Sequence, residues 1–343
     1  MRIGIDAMGG DLAPVEQIKG AVAARSLLGP GDKIVLVGHK TQIRQHLRGH
    51  HRWEDFLEIR HAEEIVGMDE PPVEALRAKP RSSLAVLAEM HRDGKVDACI
   101  SAGNTGAFVA AAQMRLRRLR GVHRPGIAII TPTFRGPVGI CDVGANVNCR
   151  PPHLYQYGKM TAIYLDAVCG VRNPRVALLS IGQEDAKGNE LVRRTHELYR
   201  KDPKIRFVGN VEGRDLFRGV CDLMVCEGFV GNVVLKLVEG MAESVILGLM
   251  KELTGSMKGA WGLLGNKIRK TAKTILTKYD FNEYGGAPLL GVNGICIICH
   301  GASNYRGIMN AVRVAKDFAT YRVNEKITQQ LSADMETSDG RTD

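Results

Sequence analysis

The chain has 343 residues, 44% apolar and 24% charged, an ordinary globular composition with enough length for two lobes around a large core. Its 47 Lys and Arg outnumber 37 Asp and Glu, a formal net charge of +10, which favours anionic partners such as phosphate, acidic proteins or anionic lipid. Aromatics are only 5% and no aromatic-rich basic strand resembles an RNA-reading sheet, so nucleic acid is disfavoured; no apolar run reaches the roughly eighteen residues of a spanning helix.

Residues 2–11 (RIGIDAMGGD) read as an alternating strand followed by a Gly-Gly turn flanked by Asp6 and Asp11. A strand that starts at once leaves no room for a signal peptide, so a cytoplasmic protein is expected. Residues 14–28 read as an Ala-rich helix and 33–38 (KIVLVG) as a second strand. Residues 39–60 are basic and rich in His, and read as a solvated helix-loop surface. The run 69–72 (DEPP) opens a helix carrying Arg77 and Lys79, and the pair Ser82-Ser83 caps the next helix, 84–92. Arg77, Arg81 and the pair Ser82-Ser83 are candidates to face an anion, the alternative being helix capping and surface charge.

Residues 96–113 (VDACISAGNTGAFVAAAQ) hold the central feature. A short apolar run reads as a buried parallel strand, the segment 101–106 has no bulky side chain, and strong helix formers follow. A strand emptying into a small polar loop and a helix start makes a phosphate cradle, because unpaired backbone N–H groups point at the anion. Ser101, Gly103, Asn104, Thr105 and Gly106 are the candidates there, together with Gly9, Gly10 and the two aspartates of the first loop.

Five arginines (115, 117, 118, 120 and 124) then fall within ten residues, with no acid among them. Such a run is a solvated face or a dock for an acidic partner. Residues 126–131 and 136–142 read as a strand pair, and 142–146 (DVGAN) supplies another small polar loop containing Asn146, before Pro151-Pro152 opens a helix. A strand over 176–180 leads to the loop 181–189, with Lys187, and a helix to about residue 201. Strands over 207–210 and 223–226 follow, the second opening into 227–232 (EGFVGN) with Asn232. Residues 233–254 and 263–279 read as a helical hairpin, whose first helix carries an apolar stripe and whose tip carries Met257, Trp261, Leu263 and Leu264 among cations. The segment 284–291 leads to a strand over 295–299, then to His300-Gly-Ala-Ser303-Asn304 and a last helix. Residues 331–343 read as a disordered tail. The expected organisation is a single two-lobed α/β catalytic unit over 1–330 containing the hairpin 233–279.

Eight cysteines are scattered, mostly in apolar runs, as expected of reduced, buried thiols. Cys296 and Cys299 form a C-x-x-C without a second Cys/His pair at zinc spacing, so no metal site is expected.

Gly-rich polar loops thus follow six predicted strands, near residues 8, 101, 144, 182, 228 and 301. Loops at the carboxyl ends of parallel strands converge on one cleft in an open α/β sheet, so one site rich in anion donors and poor in general-base carboxylates is expected. Neither a GxxxxGK[ST] loop nor a GxGxxG fingerprint occurs. Such a site suits a nucleophile that is already an anion, such as phosphate attacking an activated acyl group. A thiol with pKa about 8.5 leaves readily without a metal.

The segments IDAMGGD, ISAGNTGA, CDVGANVNCRP, KGNEL, GNVEGRDLF, GFVGNVVLKLVEG, YGGAPLLG and HGASN resemble the bacterial acyl-carrier-protein:phosphate acyltransferases of phospholipid synthesis, in one order from residue 5 to residue 304. The resemblance implies a two-lobed, three-layer fold like phosphotransacetylase and the isocitrate/isopropylmalate dehydrogenases, and a homodimer without cofactor. It implies transfer of a long-chain acyl group from acyl-carrier protein to inorganic phosphate, the acyl phosphate then passing to a membrane acyltransferase. Lys187 and Asn232 are the positions it marks as catalytic, and His300 is placed with them. The chain departs from the family pattern at Ser180, Glu227 and Ile298, where Asn, Asp and Lys are commoner. Two other functions stay open: a phosphate acyltransferase using a small acyl-coenzyme A, and a non-catalytic protein that binds acidic partners or membranes. A long acyl chain needs an apolar tunnel and a carrier protein needs a basic rim. The hairpin bodies are expected to dimerise and the cation-ringed tip to touch an anionic membrane surface, a peripheral association.

Overall fold

The computed structural model describes residues 1–133, 135–255, 283 and 285–339. Among them are eleven strands: β1 (Arg2–Asp6), β2 (Lys33–Gly38), β3 (Leu57–His61), β4 (Ala98–Ser101), β5 (Gly126–Thr133), β6 (Gly136–Cys141), β7 (Val176–Leu179), β8 (Phe207–Val211), β9 (Leu223–Val225), β10 (Ala287–Leu290) and β11 (Cys296–Ile298). They form one sheet in the order β3-β2-β1-β4-β11-β10-β5-β6-β9-β7-β8. The short apolar runs become strands because helices cover both faces, and a residue on either face must then be apolar. Ile3 and Ile5 on β1, Ile34 and Leu36 on β2 and Ile100 on β4 are all shielded from water.

The first five strands of that order are mutually parallel, as are the last four. Between them β10 is antiparallel to both β11 and β5, and β5 is antiparallel to β6. Three reversals make the two parallel halves run in opposite senses. This corrects the expectation of loops gathered at the carboxyl end of one parallel sheet: each lobe contributes its own set. Helix α8 (Gly228–Gly255), which starts in the second lobe, reaches the first-lobe loop after β11 at His300.

The helices are α1 (Val15–Ala23), α2 (Lys40–Leu47), α3 (Pro72–Ala78), α4 (Ser83–Arg92), α5 (Thr105–Arg115), α6 (Pro151–Cys169), α7 (Glu190–Lys201), α8 (Gly228–Gly255), α9 (Tyr305–Thr320) and α10 (Val323–Asp339). Helix starts follow the chemistry read from sequence. Pro72 opens α3, Ser82 Oγ accepts the Ala85 N–H to cap α4, and Asn189 Oδ1 accepts the Val192 N–H to cap α7. One apolar cluster joins β1 and β2 to α1 and α9. The packing is so close that a Cβ on Gly20 would lie 2.5 Å from Ile308 Cβ. A second cluster, around Tyr157, Tyr199 and Phe318, fills the second lobe, and a third runs beneath α4 and α5 across the joint.

Helix α10 crosses residue 331, where the sequence reading began a disordered tail; Leu331 itself is buried in the second lobe's core, which anchors the helix past that point. Helix α8 covers the first hairpin helix. The second, over 263–279, and the tip with Met257, Trp261, Leu263 and Leu264 lie outside the described residues.

Candidate active site

In the first lobe the loops after β1, β4 and β11 lie side by side, because those strands are neighbours. Asp6 ends β1 with a buried carboxylate that accepts from Ser101 Oγ at 2.9 Å and the Met8 N–H at 3.1 Å, with Ser83 and the Gly9 N–H also bonded to it. Burial pushes this carboxyl above its usual pKa, and those donors pull it back. Ser101 Oγ in turn accepts the Gly103 N–H at 3.0 Å. A Cβ on Gly9 would lie 2.4 Å from Asp6 Oδ2 and 2.8 Å from Gly103 N, so the two loops touch backbone to backbone. Gly10 takes a φ of +111° and Asp11 donates its N–H to the Gly301 carbonyl at 2.9 Å, which ties in the third loop. There Ser303 is buried and donates its N–H to the His300 carbonyl, while Asn304 caps α9.

The second lobe repeats the scheme. Asp142, wholly buried at the end of β6, accepts N–H groups of Ile127, Gly144 and Ala145 on Oδ1 and of Asn146 on Oδ2, at 2.8–3.2 Å. Burial raises its pKa against those bonds. The loops after β9 and β7 are its neighbours. Glu227 folds back so that its carboxylate accepts the Phe229 and Val230 N–H groups and caps α8. Asn232, one turn into α8, stands over Gly144, whose Cβ position is 3.7 Å from the Asn232 amide carbon. Its carboxamide has no hydrogen-bond partner among the described residues. Lys187, exposed, flanks Gly182 with its alkyl chain, and its ammonium has no acidic partner among the described residues.

Helix α8 links the two sets. A Cβ on Gly231 would lie 1.9 Å from the Asp142 carbonyl oxygen, so the helix start rests directly on the second-lobe loop. Farther along, Glu239 Oε2 lies 3.9 Å from His300 Nε2 of the first lobe. Asn232 and Glu239 are seven residues apart, hence on one helix face and about 10 Å apart at 1.5 Å per residue. His300 Nδ1 accepts the Ala302 N–H at 3.2 Å, which leaves the neutral ring's proton on Nε2, facing Glu239. This helix face thus carries Asn232 beside the second-lobe loop and Glu239 beside the first-lobe His300.

Several sequence candidates have other duties. Asn104 Oδ1 caps α5 and its Nδ2 donates to the carbonyls of Gly67, Met68 and Glu70; Asn146 Nδ2 donates to the Pro125 carbonyl, Asp142 and Tyr157 Oη. Both were read as anion donors, and both are staples, because a buried carboxamide must find partners inside the protein. Arg81 pairs with Glu63 at 2.8 Å. Thr105 and Gly106 begin α5 at the surface, and Arg77 is exposed without an acidic partner among the described residues. Of the family departures, Glu227 keeps an acid at the α8 cap, Ser180 has a buried hydroxyl without a partner among the described residues, and Ile298 packs in the core opposite Ser101. The sequence reading missed Asp142 and Glu239 as members of the site. An acid ending a strand just before a Gly turn, as Asp6 does, was the available signal for Asp142; Glu239 had none, since only the fold brings it to His300.

No thiol here is poised as a nucleophile. Burial pushes Cys141 and Cys226 well above the usual thiol range and Cys149 up to about 11. Among the described residues no three His, Cys, Asp or Glu side chains gather as a metal site.

The family described as "Fatty acid synthesis protein" matches residues 1–326. A phosphate acyltransferase of Trichlorobacter lovleyi is 45% identical over 332 residues, covering 97% of this chain and 95% of the relative. One of Geobacter sulfurreducens is 44% identical over 335 residues, with the same two coverages. In fold the chain is similar to a phosphotransacetylase from Streptococcus pyogenes, with a TM-score of 0.62 at 15% identity over 93% of this chain and 94% of that one. It is also similar to a branched-chain phosphotransacylase from Enterococcus faecalis, with a TM-score of 0.54 at 13% identity over 92% and 98%. A motif-bearing sequence that matches from end to end, on a fold shared with phosphotransacylases, leads to one conclusion: the chain belongs to the phosphate acyltransferase family.

Proposed function

We propose that the protein transfers a long-chain acyl group from the thioester of acyl-carrier protein to inorganic phosphate, releasing the carrier thiol and acyl phosphate. The observation that carries this reading is the imbalance of the cleft. Its buried carboxylates, Asp6 and Asp142, are surrounded by donors, so neither is available as a general base, whereas Lys187 and Asn232 have no polar partner among the described residues. With its two buried carboxylates engaged in this way, the site has much to hold an anionic nucleophile, and His300 with Glu239 is its one remaining pair among the described residues that could exchange a proton. A phosphate oxygen attacks the thioester carbonyl carbon, the carbonyl becomes an oxyanion, and collapse breaks the carbon–sulfur bond. Asn232 donates to the phosphate or the oxyanion, and Lys187 stabilises the oxyanion or the departing thiolate. His300, with its proton on Nε2, supplies a donor from the opposite side. The first-lobe loops, with Gly9, Gly10, Ser101 and Gly103, are the second anion-holding wall.

Apolar side chains stand beside these donors. Val147, Ile181 and Phe229, one on each second-lobe loop, are 61%, 84% and 60% exposed. Apolar groups at a polar rim suit an acyl chain of some length and disfavour a small acyl-coenzyme A as the preferred donor. On α8, Val233, Leu237, Met241 and Val245 are spaced by four residues and each is more than half exposed, a stripe suited to pairing with the same helix of a second copy. We place the protein in the cytoplasm at the membrane surface, where an apolar product meets its acceptor; no helix among the described residues is long and apolar enough to cross a membrane. The test is thiol release from long-chain acyl-carrier protein as phosphate is varied, with the product trapped by hydroxylamine. Saturable phosphate dependence and an acyl hydroxamate support the reading; release independent of phosphate, or confined to short acyl-coenzyme A, overturns it.

A further inference from the structure

Between Asp97 and Asp166 the sequence holds one acid, Asp142, against seven arginines and one lysine. Asp142 is fully buried, Lys159 is buried against Asp202 at 2.8 Å, and Arg115 pairs with Glu89 at 3.1 Å. The remaining charge of this stretch is therefore positive and faces water. The fold gathers part of it. Arg118 and Arg124, in the connection from α5 to β5, converge with Arg150 on His153 at the start of α6, and burial together with these guanidinium charges lowers the His153 pKa. The His123 and His153 rings are 6.2 Å apart. No carboxylate pairs with Arg118, Arg124 or Arg150 among the described ion pairs.

The platform is rigid. Gln156, nearly buried on α6, accepts the His123 N–H at 2.7 Å and donates to the Gly121 carbonyl at 2.7 Å, which clamps the connection to the helix. Arg118 also donates to the His123 carbonyl. At one end the patch meets the cleft, where Arg124 donates to Asn146 Oδ1 at 3.5 Å and the Asn146 carbonyl accepts the Gly228 N–H of α8. Pro151 and Pro152 remove two N–H groups from the α6 start, so the attraction here comes from spread side-chain charge. Spread charge at a cleft rim suits an extended acidic surface better than a single bound phosphate.

We propose that Arg118, Arg124 and Arg150, around His123 and His153, form the docking surface for the acidic carrier protein that presents the thioester. This rests on the acyl-transfer reading above and adds where the protein part of that substrate lands. Docking here puts the carrier at the edge of the second-lobe loops, so that its thioester arm enters over Asn146 toward Asn232.

The test compares one acyl chain on two thioesters, carrier protein and free pantetheine. In the double variant Arg118→Gln/Arg150→Gln, KM for the carrier thioester rises about tenfold, as expected when two charged surface contacts are lost. KM for the pantetheine thioester changes less than twofold, and the salt dependence of the carrier KM flattens. The variant Arg118→Lys/Arg150→Lys stays within twofold of wild type on both. An equal rise on both thioesters, no rise on either, or failure of lysine to restore the carrier KM overturns the docking surface. Calorimetric titration with the unacylated carrier protein reads docking without turnover. If the wild-type protein transfers neither acyl group to phosphate, the acyl-transfer reading fails, while the titration still decides the surface.

Discussion

Replacing Gly231 by Ala tests whether the seat of α8 positions Asn232, the donor proposed to act in catalysis. A Cβ at this position would lie 1.9 Å from the Asp142 carbonyl oxygen and 2.9 Å from its carbon and from Cys226 Sγ. The nearest obstacle is backbone held by a buried carboxylate with four N–H bonds, so it cannot rotate away as a side chain would. Ordinary contact is restored only if the helix start moves by roughly 1 Å or more, a strain costing about 1–3 kcal/mol. Asn232 is the next residue and moves with it, away from Gly144. Misplacing a reacting group by about 1 Å costs on the order of a hundredfold in rate. The expected result is a folded protein with a modestly lowered melting temperature and turnover down about a hundredfold. Gly213→Ala, in the same lobe but with nothing within 4 Å of its Cβ position, should keep both. A Gly231→Ala protein with normal turnover would refute the claim that the Asp142 loop sets the position of Asn232.

Lys187→Ala and Asn232→Ala should each reduce turnover about a hundred- to a thousandfold, with melting temperatures unchanged because neither side chain has a polar partner among the described residues; a folded variant with near-normal turnover removes that residue from the mechanism. Light scattering should show a dimer for the unaltered protein and a monomer for Leu237→Glu with Val245→Glu, and a dimer retained by the variant would move the interface off α8. Asp32 bonds Lys316 Nζ at 2.6 Å, the chain's amino terminus at 2.7 Å and the Gly29 N–H at 2.9 Å. Burial alone would raise its pKa, but these partners outweigh it and hold the carboxyl well below the usual range. A depressed carboxyl stabilises the fold above its unfolded value, near pH 4, and loses that contribution as pH falls toward the folded value. Asp32→Asn should therefore cost about 1.5–3 kcal/mol at pH 7, and the gap to wild type in urea unfolding should narrow below pH 4; a gap that is flat with pH argues against the ion pairs.

The loops that make the site were legible because each combines a buried apolar strand with small polar residues and a helix start, all local signals. Strand β3 was not, since LEIRH sits at the sheet edge and alternates polar residues that a solvated loop would also carry. The antiparallel joint of β10 with β5 and β11 was equally hidden: Ala287–Leu290 is four residues long with Pro288 inside it, and only pairing across the sheet makes it a strand. That joint reverses the second lobe, which is why the loops come from two edges. Asn104 and Asn146 were read as anion donors, and in the fold their carboxamides donate to backbone carbonyls, because sequence shows which polar groups a loop holds and not which carbonyls bury against them. The contact of Glu239 with His300 joins segments 61 residues apart and depends on the course of α8.

The central claim is that phosphate itself is the attacking group and that the protein supplies donors rather than a nucleophile. The most direct measurement mixes excess protein with long-chain acyl-carrier protein in rapid-quench apparatus and counts the free thiol, first without phosphate and then with it. The account predicts no thiol above background until phosphate is added, because Ser101 is buried against Asp6 and the nearby thiols are held protonated. A burst of one thiol per chain in the absence of phosphate would reveal an acyl-enzyme and contradict it.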